Sequence, residues 1–184
     1  ARLAFTKEVT EDRVRSYVRF LADSLLVRTI EPLEFRLKRT RRSPKLCLVD
    51  HALRASWLQE SVPLTAKGLR EQPDLTTLAG HLAESTVGAV LSTIVGLDIA
   101  YLPERAKTPE IDFMLTVGMQ RIPIEVKYQN VVDPIRDTKG LLDFIAQPGN
   151  RASFGVLVTR RDVELPGLDP RIVALPLSSL MLLR

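Results

Sequence analysis

An α/β fold, a sheet covered by helices, is predicted by three features of the chain. The apolar patterns run helix, three strands, helix, strand and terminal strand from residue 74 onward. Phe154–Thr159 is a compact apolar run of the kind a strand buried on both faces shows. Ile111–Val117 and Arg121–Lys127 alternate apolar and polar residues on either side of Gly118-Met119, as the arms of a hairpin do.

The elements are read in order. Segment 11–23 has helical period, with Val14, Tyr17, Val18 and Leu21 on one face. Thr10 is placed to cap it, and Glu11 and Asp12 suit the positive end of its dipole. Two short strand-like runs follow, Leu25–Ile30 and Lys45–Val49, and this helix-plus-hairpin pattern predicts a small winged-helix-like segment over residues 1–59. Asp50 is expected to cap a helix over His51–Gln59. Residues 60–73 carry Pro63, Gly68 and Pro73 without a sustained period and read as a linker. The rest, 74–184, forms the second unit. It opens with a helix over Asp74–Val95, with Asp74 as N-cap and Gly96 as the stop. Leu97–Leu102 precedes the hairpin arms as a strand, Asp137–Ala146 is a helix, Ile172–Leu175 is a strand, and Leu177–Leu183 closes as a helix.

Composition narrows the function classes. Of 184 residues, 45% are apolar and 26% charged, the balance of a globular chain. No apolar stretch reaches the roughly 20 residues of a membrane span. Ala1–Lys7 lacks the core and cleavage pattern of a secretory leader, so a cytoplasmic location is expected. A single cysteine, Cys47, and two histidines, His51 and His81, exclude a disulfide framework and Cys- or His-rich metal clusters. A Gly-x-x-x-x-Gly-Lys-Ser/Thr loop is missing, so these residues are not expected to hydrolyse ATP.

Charge is unevenly placed. Residues 1–50 hold 12 Lys/Arg against 7 Asp/Glu, whereas residues 51–184 hold 14 against 15. Arg36, Lys38, Arg39, Arg41, Arg42 and Lys45 lie within ten residues without an intervening acid, a run expected to attract a nucleic-acid backbone. A solvated loop is the alternative reading.

The hairpin carries the chemistry. Gly118-Met119 suits a two-residue type II′ turn, which pairs Val117 with Gln120 and fixes the register. Continued along the arms, it sets Phe113 against Ile124, Asp112 against Glu125 and Glu110 against Lys127. Two carboxylates about 5 Å apart repel each other unless a cation lies between them. Oxygen-only ligands favour Mg²⁺ or Mn²⁺, with Lys127 on the same strand face as Glu125 to orient water or stabilise developing charge. Glu84, in the middle of the 74–95 helix, is the candidate third acid. The alternative is a surface Glu–Lys pair beside an unrelated aspartate.

Taken together, Gly80-His81-Leu82-Ala83-Glu84, then Glu110-Ile111-Asp112-Phe113, then Ile124-Glu125-Val126-Lys127 resemble the PD-(D/E)XK nuclease superfamily. More narrowly, with Tyr17–Arg28 and Ser43–Leu53, the chain looks like the C-terminal region of bacterial and archaeal AAA-type ATPases that end in a domain of unknown function. The resemblance implies a restriction-endonuclease-like mixed sheet. It also implies Asp112, Glu125 and Glu84 as metal ligands and Lys127 as catalytic lysine, with Mg²⁺ or Mn²⁺ as cofactor. DNA is the expected partner, together with an ATPase module N-terminal to Ala1. Glu110-Ile111-Asp112 stands where the superfamily name has Pro-Asp. Metal-dependent DNA cleavage is therefore one expected function, and a non-catalytic DNA-binding or ATPase-regulating module is the other.

Overall fold

The computed structural model describes residues 10–34, 43–63, 65–104 and 110–182. The predicted α/β class is observed: a five-stranded mixed sheet has helices on both faces, with a two-stranded antiparallel sheet beside it.

Helix α1 spans Glu11–Asp23, and the Thr10 hydroxyl accepts a bond from the Arg13 amide at 3.4 Å. Strands β1 (Val27–Ile30) and β2 (Lys45–Leu48) pair antiparallel, with Val27 against Leu48 and Ile30 against Lys45. Asp50 caps α2 (His51–Leu58) by accepting from the Ala52 amide at 2.7 Å. The stretch 60–73, read as a linker, contains a short helix, α3 (Ala66–Glu71), capped by Thr65. Its Leu69 is buried, so tertiary contact supplies the stability that a single Gly-containing turn lacks.

Helix α4 covers Asp74–Leu91, four residues shorter than its apolar period implied. Pro73 rather than Asp74 occupies the N-cap position, with no side-chain cap bond. At the other end, the Ser92 and Thr93 hydroxyls donate to the Gly88 and Val90 carbonyls, and the Thr93 and Ile94 amides bond carbonyls three residues back, which tightens and ends the helix. Val95 is fully exposed beyond that point, and Gly96 turns with φ +82°.

The main sheet has the order β3 (Asp98–Leu102), β4 (Ile111–Val117), β5 (Gln120–Lys127), β6 (Gly155–Thr159) and β7 (Ile172–Pro176). The first three strands pair antiparallel and β5, β6 and β7 pair parallel, so β5 joins the two halves. Helix α5 (Lys139–Ile145) provides the crossover between β5 and β6, and α6 (Leu177–Leu180) follows β7.

Two apolar layers sandwich this sheet. On one face, Val87 and Leu91 of α4, Phe113, Ile124, Val158 and Leu180 form a core that also takes in Ile30 and Cys47. The small sheet and the large one thus share one core. On the other face, Leu141, Phe144 and Ile145 of α5 pack on Ile111, Met114, Leu157 and Ile172. Cys47, within the apolar strand β2, is a small buried group, and burial raises its thiol pKa to about 11.

Gly88 lets α4 approach the sheets. A Cβ there would lie 2.5 Å from Cys47 Sγ and 2.8 and 2.9 Å from Phe113 Cε1 and Cζ. Gly88→Ala is expected to cost about 1–3 kcal/mol through overpacking, even though alanine favours helix. Gly80, nearly two turns into the same helix, has nothing within 4 Å of its would-be Cβ. Gly80→Ala should therefore stabilise by roughly 0.5–1 kcal/mol. Urea midpoints of the two variants check the contrast; a stable Gly88→Ala protein would contradict the packing.

Candidate metal and hydrolytic centre

The turn arithmetic is realised over most of the hairpin. Gly118 has φ +61° and Met119 does not share the positive sign, the type II′ pattern. Pairing runs from Val117 with Gln120 to Phe113 with Ile124, as expected, and stops there. Asp112 and Glu125 are not register partners. A bulge between Ala100 and Leu102 shifts the neighbouring β3–β4 register, and Ile111 packs in the α5 layer while Phe113 packs in the α4 layer. The strict alternation that would set Ile111 and Phe113 on one face is broken at Asp112. Released from the ladder, the Asp112 Oδ2 accepts a hydrogen bond from the Val126 amide at 2.8 Å.

The two carboxylates remain electrostatic neighbours. Burial pushes the Asp112 carboxyl up to about 6, with the charge of Glu84 adding to it. Burial pushes Glu125 up to about 7, with the charge of Asp112 adding to it. The Asp112 and Glu125 side chains are only 14% and 17% exposed, so water screens them little. Lys127 Nζ donates to Glu125 Oε1 at 2.5 Å, and the two residues share a strand face by period two. Burial opposes the Lys127 charge, but Glu125 and Asp112 outweigh it and raise its pKa.

Glu84 arrives from α4, as expected, but its immediate partner is a lysine. Lys45 Nζ donates to Glu84 Oε1 at 2.5 Å and lies 3.2 Å from Glu110 Oε1 and 3.5 Å from Asp112 Oδ1. Lys45, grouped by sequence with the basic run, is thus part of the acidic centre. Glu110, expected opposite Lys127, meets Lys45 instead. The other members of the run, Arg36, Lys38, Arg39, Arg41 and Arg42, lie outside the described residues. A signal for Lys45 was available: it stands two residues before Cys47 in an apolar strand-like run, so by period two it shares the face on which Cys47 is buried.

Among the described residues, no group of three or more His, Cys, Asp or Glu side chains is arranged as a metal cluster. A Mg²⁺-type ion needs less from the protein, since it is commonly held by one or two carboxylates together with waters and substrate phosphates. Asp112 and Glu125, oxygen donors that are buried and repel each other, fit that requirement. Glu84 is engaged by Lys45, whose ammonium it shares with Asp112, and its charge adds to the upward push on the Asp112 carboxyl.

A second feature adjoins Lys127. Lys127 and Thr159 are register partners, and the chain beyond them lines a cleft of about 190 Å³ containing Gln129, Asn130, Arg160 and Arg161. Such crevices at the carboxyl ends of parallel strands are where α/β sheets usually take ligands. Arg160 is oriented there by a 2.6 Å bond to Asn130 Oδ1 and by the Tyr128 ring, 5.4 Å from its guanidinium carbon.

A family model described as a domain of unknown function (DUF4143) matches residues 79–180, more than half of the chain. The chain belongs to the DUF4143 family. Searches of curated proteins and of solved structures returned no match. The DUF4143 region contains Glu84, Asp112, Glu125 and Lys127 but not Lys45, so the centre draws one of its charges from outside the matched span. No described helix of this DUF4143 protein is long and apolar enough to cross a membrane.

Proposed function

We propose that this DUF4143 domain is a PD-(D/E)XK nuclease-like module of restriction-endonuclease-like fold, acting on DNA phosphodiesters with Mg²⁺ or Mn²⁺. Its setting would be the C-terminal part of an AAA-type ATPase. The observation that carries the reading is the pair of buried, mutually repelling carboxylates, Asp112 and Glu125, beside Lys127. They sit on β4 and β5, where the antiparallel and parallel halves of the sheet meet.

Asp112 and Glu125 would hold the ion, and a divalent cation there supplies charge neutralisation and a bound water of lowered pKa. Lys127, its pKa raised, keeps its proton at neutral pH and serves as a cationic donor to phosphate oxygen rather than as a base. The Val126 amide holds the Asp112 carboxylate in place. Arg160 and Arg161 line the cleft beyond the strand ends, where the adjoining backbone phosphates would run.

Incubation of the protein with supercoiled, linear and single-stranded DNA in Mg²⁺ or Mn²⁺ tests the reading. Cleavage is expected, falling on the order of 10²–10³-fold in Lys127→Ala and to background in Asp112→Ala. A wild-type protein that leaves every DNA form intact in both metals refutes it. The Lys45 ammonium among Glu84, Glu110 and Asp112 favours a second reading, in which the centre is neutralised internally and the domain binds DNA or regulates an ATPase without catalysis. DNA binding that persists in EDTA with no cleavage in any metal selects it.

A further inference from the structure

The acidic centre carries its own cation. Lys45 comes from β2, 39 residues from Glu84 and 67 from Asp112 in sequence. Its ammonium is bonded to Glu84, close to Glu110 and Asp112 carboxylate oxygens, and 3.4 Å from the Asp112 carbonyl oxygen. The rings of Tyr101 and Phe113 lie 5.3 and 5.4 Å from it, closing the apolar side of the cage. The Lys45 side chain is 18% exposed. Tyr101 is itself pinned, its hydroxyl donating to the Ser43 carbonyl at 2.7 Å. An ammonium has three donors, and carboxylate and carbonyl oxygens of this kind are also the ligands of a hard divalent cation. Asp112 stands between the two demands: its Oδ1 lies 3.5 Å from the Lys45 ammonium, while its charge also acts on Glu125, the second member of the proposed metal pair. A divalent cation on Asp112 would stand beside a held ammonium of the same sign.

We propose that Lys45 is the resident counter-cation of the centre, and that a divalent cation binding at Asp112 and Glu125 displaces its ammonium from Asp112. This rests on the reading of those two carboxylates as the metal pair. The competition weakens cation affinity, because the binding-competent arrangement is the one in which Lys45 has moved away. It also ties cation loading to the small sheet: Lys45 opens β2, whose Cys47 lies in the core against α4. Whatever binds that sheet and draws Lys45 off Asp112 therefore favours the metal, and the metal favours that partner by the same factor.

Calorimetric titration of the intact chain with MnCl₂, on wild type, Lys45→Met and Asp112→Asn, tests the proposal. Lys45→Met is expected to bind Mn²⁺ about tenfold or more tightly than wild type, and Asp112→Asn to lose binding. A second measurement uses the unaltered protein: amine acylation followed by mass spectrometry, with and without saturating Mg²⁺. Labelling of Lys45 should rise severalfold with Mg²⁺, while exposed Lys67 stays constant as reference. Mn²⁺ binding that is lost in Asp112→Asn, together with unchanged affinity in folded Lys45→Met or unchanged Lys45 labelling, overturns the displacement and leaves the metal pair standing. Absence of Mn²⁺ binding in every protein, or equal binding by Asp112→Asn, overturns both. Should Lys45→Met fail to fold, the labelling of wild type decides.

Discussion

Asp112→Asn is expected to make the metal-free protein more stable at pH 8, by about 1–3 kcal/mol, at roughly 1.4 kcal/mol for each unit by which the native carboxyl is raised. The native carboxyl sits near 6 instead of its ordinary 3.8, first through burial and then through the charge of Glu84. A raised acid holds its proton in the folded state over a range where the unfolded chain has released it. Its contribution to stability is therefore fullest below about pH 4 and is lost as pH rises through about 6. Glu125, raised to about 7, behaves alike, and its loss extends somewhat higher in pH. The two share one electrostatic interaction, so the double amide variant should gain less than the sum of the singles. Asparagine keeps an oxygen for the Val126 amide, which limits collateral loss. Urea midpoints at pH 5 and pH 8 check this: the gap between Asp112→Asn and wild type should widen at the higher pH. A variant less stable than wild type at pH 8 would mean that the attraction of Lys45 outweighs burial. An improvement would place Asp112 among residues kept for function at the expense of stability.

Phe113→Ala is expected to cost about 3–5 kcal/mol, a large share of the roughly 5–15 kcal/mol that holds a domain of this size together. The ring is completely buried and lies in the core shared by α4, the main sheet, and Ile30 and Cys47 of the small sheet. It meets the gap that Gly88 leaves open on α4, and its face lies 5.4 Å from the Lys45 ammonium. Truncation therefore removes apolar burial and one wall of the lysine cage together. Phe113→Leu, which fills more of the space, should lose appreciably less. Denaturant unfolding followed by circular dichroism measures both, and a Phe113→Ala loss under about 1 kcal/mol would show that the core collapses around the gap.

The structure divides the candidate centre into a part written locally and a part that is not. The Gly118-Met119 turn and the alternation of its arms were enough to place Phe113 opposite Ile124, because a type II′ turn dictates pairing for several residues on either side. The Thr10 and Asp50 caps were equally legible, each a side chain bonding an amide two or three residues away. The end of α4 was not, since the apolar period continues to Val95 while the Thr93 and Ile94 amides already bond carbonyls three residues back. Helix α3 was hidden by Pro63 and Gly68, residues that ordinarily signal a loop.

By itself the sequence determined an α/β chain and a Glu-x-Lys strand with an aspartate on its hairpin partner. These follow from period, turn chemistry and charge, which act over a few residues. Tertiary structure alone decided that the ladder stops before Asp112, that Glu110 turns to Lys45, and that Lys45 leaves the basic run to sit among acids. The physical reason is range. The β3–β4 bulge depends on how neighbouring strands pack, and an ammonium seeks the strongest field that folding brings near it, here from carboxylates 39 and 67 positions along the chain.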